Sequence, residues 1–186
     1  MLSVIIATFD SERALVPTLA ALVPGATAGL VREVIIADAG SRDETAAVAD
    51  VAGCSFLLLE GSLGTRLKTA AAAARAPWLF FLRPGTFLDA PWIGEARRFL
   101  DRPSLDERAA FFRRGAPAQP GLRDAFALFV AALSAPRPEQ GLIISKQLYE
   151  TVGGHSEESA DPEAELIRRL GRRRMITLAS SAFSAE

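Results

Sequence analysis

Short apolar runs alternate along the chain with longer stretches in which apolar residues recur every three or four positions. That alternation predicts β-α units and a parallel sheet. Leu2–Ala7 is apolar on both faces and rich in β-branched residues, as a central parallel strand requires. Glu12–Val23 sets Leu15, Leu19 and Leu22 on one helical face, and Pro24-Gly25 predicts its end. Val34–Ala37 reads as a second strand. Ser41-Arg42-Asp43-Glu44 has the capping-box pattern and predicts a helix to Val51, with Ser41 as N-cap. Ser55–Leu59 is a third strand, Gly64–Arg75 an alanine-rich helix, and Trp78–Leu82 a fourth strand closed by Arg83-Pro84-Gly85. Right-handed crossovers turn these elements into a twisted, mostly parallel sheet with helices on both faces.

The second half is less regular. It predicts a helix at Trp92–Leu100, a strand at Ala109–Phe112, a loop at Gly115–Gly121 and a helix at Leu122–Leu133 with Phe126 and Phe129 inward. A strand at Leu142–Ser145, a short helix at Lys146–Val152, a Gly153-Gly154 turn, a helix at Pro162–Leu170 and a strand at Met175–Leu178 follow.

The 186 residues suit one α/β domain, 1–186. A net charge of -1 argues against nucleic acid as the main partner. Cys54 is the sole cysteine, which excludes an intrachain disulfide and a cysteine-based zinc cluster. The opening apolar run is short for a secretory signal, and no stretch approaches the ~20 apolar residues of a membrane span. A cytoplasmic protein is expected, with peripheral contact to the inner face of a membrane as a secondary expectation.

Ligands of open α/β sheets bind beyond the carboxyl ends of the strands. The polar residues there are Thr8, Asp10, Ser11 and Glu12, then Asp38, Gly40, Ser41 and Asp43, then Gly61, Ser62, Arg66 and Lys68, then Arg83, Gly85 and Thr86. The chain lacks GxGxxG after the first strand, the P-loop pattern and GxSxG, which excludes three common nucleotide-binding and hydrolase readings.

Ser3–Glu12, a strand ending in Thr8-Phe9-Asp10-Ser11-Glu12, resembles the opening of the family 2 glycosyltransferases. Glu33–Thr45, with Asp38-Ala39-Gly40-Ser41-Arg42-Asp43-Glu44-Thr45, is similar to that family's second motif. Gly64–Leu82, Glu139–Leu142, Val152-Gly153-Gly154 and Glu163–Gly171 resemble its later segments in order. The resemblance implies a GT-A fold, with a nucleotide-binding half at about 1–88 and an acceptor-side half at about 89–186. It implies transfer of a sugar from a nucleotide diphosphate sugar, a UDP-sugar in the simplest case, to a hydroxyl of a saccharide or lipid-linked acceptor, with inversion. By position, Asp38 would meet a uracil-like base, Thr8, Asp10 and Glu12 would line the nucleoside pocket, and Arg66 and Lys68 would flank the donor. Glu163 takes the position of the base, with Asp161 as the second candidate. Glu139 and His155 fall on the acceptor side.

The family's fourth strand ends in aspartates that hold a divalent metal (Mg or Mn) on the diphosphate. Here Gly85 stands at that position and offers no carboxylate. Two readings stay open. Either Arg83 neutralises the diphosphate in place of the metal, or the chain is a catalytically degenerate nucleotide-sugar-binding or partner-binding module. Plainer roles also exist: Asp161 as N-cap with Pro162 at N1, Glu163 as a favourable charge at a helix N-terminus, and His155 as a surface residue. Arg172-Arg173-Arg174 reads as a solvated end or an anionic-lipid contact.

Overall fold

The computed structural model describes residues 1–102, 107–115 and 136–184. The expected loop at Gly115–Gly121, apart from Gly115, and the expected helix at Leu122–Leu133 lie outside these residues.

The first half runs β1 (Leu2–Thr8), α1 (Glu12–Thr27), β2 (Val31–Asp38), α2 (Thr45–Val51), β3 (Ser55–Leu58), α3 (Leu63–Ala73) and β4 (Trp78–Leu82). It continues with β5 (Thr86–Leu88), α4 (Trp92–Leu100), β6 (Ala109–Arg114), β7 (Leu142–Ser145), α5 (Lys146–Thr151), α6 (Pro162–Leu170) and β8 (Met175–Ser184). The described residues form one sheet in the order β3-β2-β1-β4-β7-β6-β8-β5. β1 pairs in parallel with β2 and β4, and β2 with β3. β7 enters antiparallel between β4 and β6, β6 and β8 are parallel, and β5 closes the edge antiparallel to β8. The sheet reverses its order at β1/β4, where a doubly wound sheet opens its ligand crevice.

Alternation along the strands feeds two cores. Leu2, Val4 and Ile6 of β1 and Phe80 and Leu82 of β4 pack with Leu15, Leu19 and Leu22 of α1 and with Trp92 and Phe99 of α4. Ile5, Leu79 and Phe81 face the other side, with Leu67 of α3, Leu148 and Tyr149 of α5, and Leu166, Ile167 and Leu170 of α6. No helix of the described residues is long and apolar enough to cross a membrane.

Three expectations change. α1 does not stop at Pro24-Gly25 but runs to Thr27. A Cβ on Gly25 would come within 2.5 Å of the Trp92 ring, so this glycine permits close packing against α4. The helix ends one turn later, where Leu30 N–H bonds Gly25 O, Gly29 N–H bonds Ala26 O, and Gly29 has φ +69°. Ser41 is not a helix cap, because α2 starts at Thr45 and the Ser41 hydroxyl bonds elsewhere. The last strand extends to Ser184 because it is paired on both sides, with β6 and with β5, a strand the sequence pattern does not announce.

Candidate functional site

Parallel register brings Thr8 beside Asp38 at the carboxyl ends of β1 and β2. Both are buried, at 2% and 1% exposure. Asp38 Oδ2 accepts the hydroxyls of Thr8 at 2.7 Å and Ser41 at 2.5 Å, while Oδ1 accepts Gly40 N–H at 2.8 Å and Ser41 N–H at 2.7 Å. Burial pulls this carboxyl upward, but the bonds from Ser41, Thr8 and Gly40 outweigh it and hold the pKa below the ordinary aspartate value. A carboxylate offers about four lone-pair directions, and here each has a donor. A base seated on Asp38 would have to displace one of them.

The remaining motif residues clasp two loops. Ser41 Oγ accepts Asp10 N–H, Asp10 Oδ1 accepts Arg42 N–H, Thr45 Oγ1 accepts Ser11 N–H, and Asp43 Oδ2 accepts Glu12 N–H. Asp43 Oδ1 in turn accepts the N–H and hydroxyl of Thr45. Asp10 has φ +46°, a left-handed conformation that aspartate tolerates better than most residues. Gly40, at φ +93°, makes the turn that aims two N–H groups at one carboxylate oxygen. Ser41, Asp43 and Thr45 were not among the expected site residues, although the Asp-x-Gly-Ser-x-Asp-x-Thr spacing was their signal.

Arg66 crosses the same strand ends from α3. Its Nη1 donates to Thr8 O at 3.2 Å and Ala37 O at 2.9 Å, and its buried Nε has no partner among the described residues. Burial lowers its pKa, and Asp38 opposes that effect. Thr8, Asp10, Glu12, Asp38 and Arg66 therefore meet on one ledge. Lys68, two residues on, is paired at 2.7 Å with Glu157, and both side chains are half exposed.

A second cluster stands past the end of β4. Arg83 donates to Glu163 Oε2 from Nε at 2.9 Å and from Nη2 at 2.5 Å, and to Glu139 Oε1 from Nη1 at 2.6 Å. Glu163 lies in the first turn of α6, and its side chain is 14% exposed. Burial raises its pKa despite the pull of Arg83. Burial acts to lower that of Arg83, but Glu163 and Glu139 outweigh it and raise the value. Glu163 Oε1 accepts no hydrogen bond from the described residues. Asp161 caps α6 by accepting Ala164 N–H at 3.0 Å.

His155 is not at the surface. At 1% exposure it sits edge-on against Phe81, and burial depresses its pKa to about 3. Tyr149 hydroxyl accepts His155 N–H at 3.1 Å and lies within hydrogen-bond distance of Nδ1 at 2.9 Å.

The turn after β4 suits a metal poorly. Gly85 offers no side-chain ligand and its N–H donates to Ala14 O, and Glu139 and Glu163 each have an oxygen bonded to Arg83. A guanidinium is always charged and repels a divalent cation at this range. Among the described residues no group of three or more His, Cys, Asp and Glu side chains is placed to hold a metal ion.

A family model described as glycosyl transferase family 2 matches residues 3–106, more than half of the chain. The chain belongs to that family. Solved structures extend the likeness in fold beyond the matched segment. The mannosyltransferase PcManGT from Pyrobaculum calidifontis, in complex with GDP-Man and Mn2+, superposes with TM-score 0.75 at 15% identity, over 99% of this chain and 56% of that one. S. aureus TarS superposes with TM-score 0.72 at 17% identity, over 100% of this chain and 36% of that one. Glucosyl-3-phosphoglycerate synthase from Mycobacterium tuberculosis, with Mn2+, UDP and glucosyl-3-phosphoglycerate, gives 0.66 at 19% identity, over 100% and 72%. This family 2 chain thus has the GT-A fold, and it spans 56% and 36% of the length of the first two structures. No curated protein matches it in sequence.

Proposed function

We propose that the chain moves a sugar from a nucleotide diphosphate sugar to an acceptor hydroxyl, with inversion. Residues 1–88 form the donor side and 89–186 the acceptor side. The observation that carries the reading is the pairing of two clusters across the β1/β4 switch point: a polar ledge with Arg66, and a buried glutamate, Glu163, one oxygen of which accepts no hydrogen bond from the described residues. The donors bound in the related structures, GDP-Man and UDP-GlcNAc, are of the same class.

In this reading Glu163 Oε1 takes the proton of the acceptor hydroxyl. The oxygen attacks the anomeric carbon as the bond to the diphosphate oxygen breaks, and one displacement inverts the centre. Arg66 and Arg83 carry charge before the reaction begins, so they stabilise the departing diphosphate without reorganising. Thr8, Asp38, Asp10 and Glu12 act through the loops they hold, and Glu139 and Lys68 lie at the rim. Asp161 serves Glu163 by starting its helix.

A second reading has an observation of its own. Arg83 ties Glu163 and Glu139 together, and a module that binds nucleotide sugar without turnover would keep such a pair. Calorimetric titration with UDP- and GDP-sugars, followed by assays of donor hydrolysis and of transfer to saccharide and lipid-linked acceptors, decides between them. Turnover supports the transferase. Binding with no turnover supports the module, and no binding removes both.

A further inference from the structure

Arg83 follows β4, Glu139 lies in the short turn before β7, and Glu163 opens α6, yet their side chains converge. Two carboxylates from distant segments, each turned onto one central cation, is what a protein builds for a divalent ion. Here the cation belongs to the chain. A guanidinium has five N–H groups. Three are used on the two glutamates, one each from Nε, Nη1 and Nη2, which leaves one on each terminal nitrogen. The Arg83 side chain is 39% exposed, so a ligand can reach the guanidinium from solvent. Its geometry fits two oxygens of a phosphate. Glu139 is 46% exposed and its charge is screened, whereas Glu163, at 14%, is matched one to one by Arg83.

We propose that the Arg83 guanidinium is a built-in cation standing between Glu139 and Glu163 where a divalent metal would otherwise sit, and that the site takes a nucleoside diphosphate without metal. The proposal rests on the nucleotide-sugar reading above. A metal ion entering here would meet two carboxylates that each already hold Arg83 through one oxygen, and would remain beside a group that does not lose its charge. The Arg83-Pro84-Gly85 turn offers no compensating ligand side chain.

The test has two arms. UDP and GDP are titrated calorimetrically into the wild-type chain in EDTA and in Mn2+, and the affinities are expected to agree within about twofold. Arg83→Met is expected to lose about tenfold or more in nucleotide affinity, and Arg83→Lys less, because the charge is kept. In the second arm, Mn2+ uptake is followed by water-proton relaxation. Arg83→Asp sets a third carboxylate beside Glu139 and Glu163 with no counter-ion and is expected to bind Mn2+, Arg83→Met with two carboxylates more weakly, and the wild type not at all. A tenfold or larger gain in wild-type nucleotide affinity on adding Mn2+ overturns the proposal, as does wild-type Mn2+ uptake equal to that of a folded Arg83→Asp. If Arg83→Asp does not fold, the Met and Lys variants decide: equal nucleotide affinity in both overturns it. If the wild type binds neither nucleotide in either buffer, the nucleotide-sugar reading and the diphosphate half of the proposal both fall. The relaxation arm then still decides whether Arg83 holds a cation's place.

Discussion

The hydroxyl of Thr8 lies 2.7 Å from Asp38 Oδ2, so the ends of two central strands are joined by a charge-assisted hydrogen bond with almost no exposure to solvent. Asp38 also holds Gly40 and Ser41, and through Ser41 it fixes the N–H of Asp10. The carboxylate thus works as the pin of two loops.

Asp38→Ala removes the acceptor from four donors at once. Stability is expected to fall by on the order of 3 kcal/mol, since one buried and three half-buried donors lose their partner together. Nucleotide affinity falls with it, because Thr8 and the Gly40–Ser41 turn lose their common anchor. Chemical denaturation and calorimetry check both. A variant as stable as the wild type would show that the pin is dispensable.

Glu163→Gln keeps the shape and a hydrogen bond to Arg83 but cannot take a proton. Under the transferase reading kcat falls by ~10²–10⁴, the usual range for loss of a positioned acid or base. Nucleotide affinity stays close to that of the wild type, so the loss appears in kcat with little change in donor binding. Steady-state kinetics beside donor titration separate the two effects. Full activity in the variant would assign the base elsewhere.

Gly64→Ala tests the clamp between α3 and the segment before α6. An added Cβ would lie 1.8 Å from the carbonyl oxygen of Ser156, a backbone atom with little freedom to retreat. Ser62 Oγ and Lys68 fasten the same helix to Glu157. Destabilisation of ~1–3 kcal/mol or more is expected, the range of overpacked interiors. An unchanged melting temperature would mean that the loop moves freely.

The buried His155 gives stability a pH dependence. Its folded pKa, about 3, lies below the ordinary value of 6.5 because of burial and, secondarily, Arg169. The unfolded chain therefore binds the extra proton first as pH falls, and this stability is present above pH 6.5 and lost toward pH 3. The slope from this one group reaches at most about 1.4 kcal/mol per pH unit. His155→Asn is expected to flatten the decline between neutral and acidic pH, measured by urea denaturation. Parallel slopes for variant and wild type would exclude His155 as the source.

The first four strands were legible because each is an apolar run bounded by turn residues, and local patterning suffices for buried parallel strands. β5 was not, because three residues at Thr86–Leu88 have no period of their own and become a strand only by pairing with β8. Pro24-Gly25 misled for a related reason: Gly25 answers to Trp92, which lies 67 residues on in sequence and in another helix. The ledge residues could be listed from strand ends, but Asp38's saturated bonding depends on loop geometry. The Arg83–Glu163 pair was invisible because it joins residues 80 apart that no motif connects.

β8 lies inside the sheet, between β6 and β5, although it comes after both in the chain. Among the described residues β5 reaches the sheet only through β8, so a strand formed from residues 86–88 waits for residues 182–184 before it has a partner there. β1 to β4 need nothing beyond residue 82 to pair with one another. The topology permits staged assembly: β1 to β4 can pair while the chain is still growing, and the far edge can close only once β8 is made. A truncation before Met175 would strip two strands from the sheet and expose one long flank of β6.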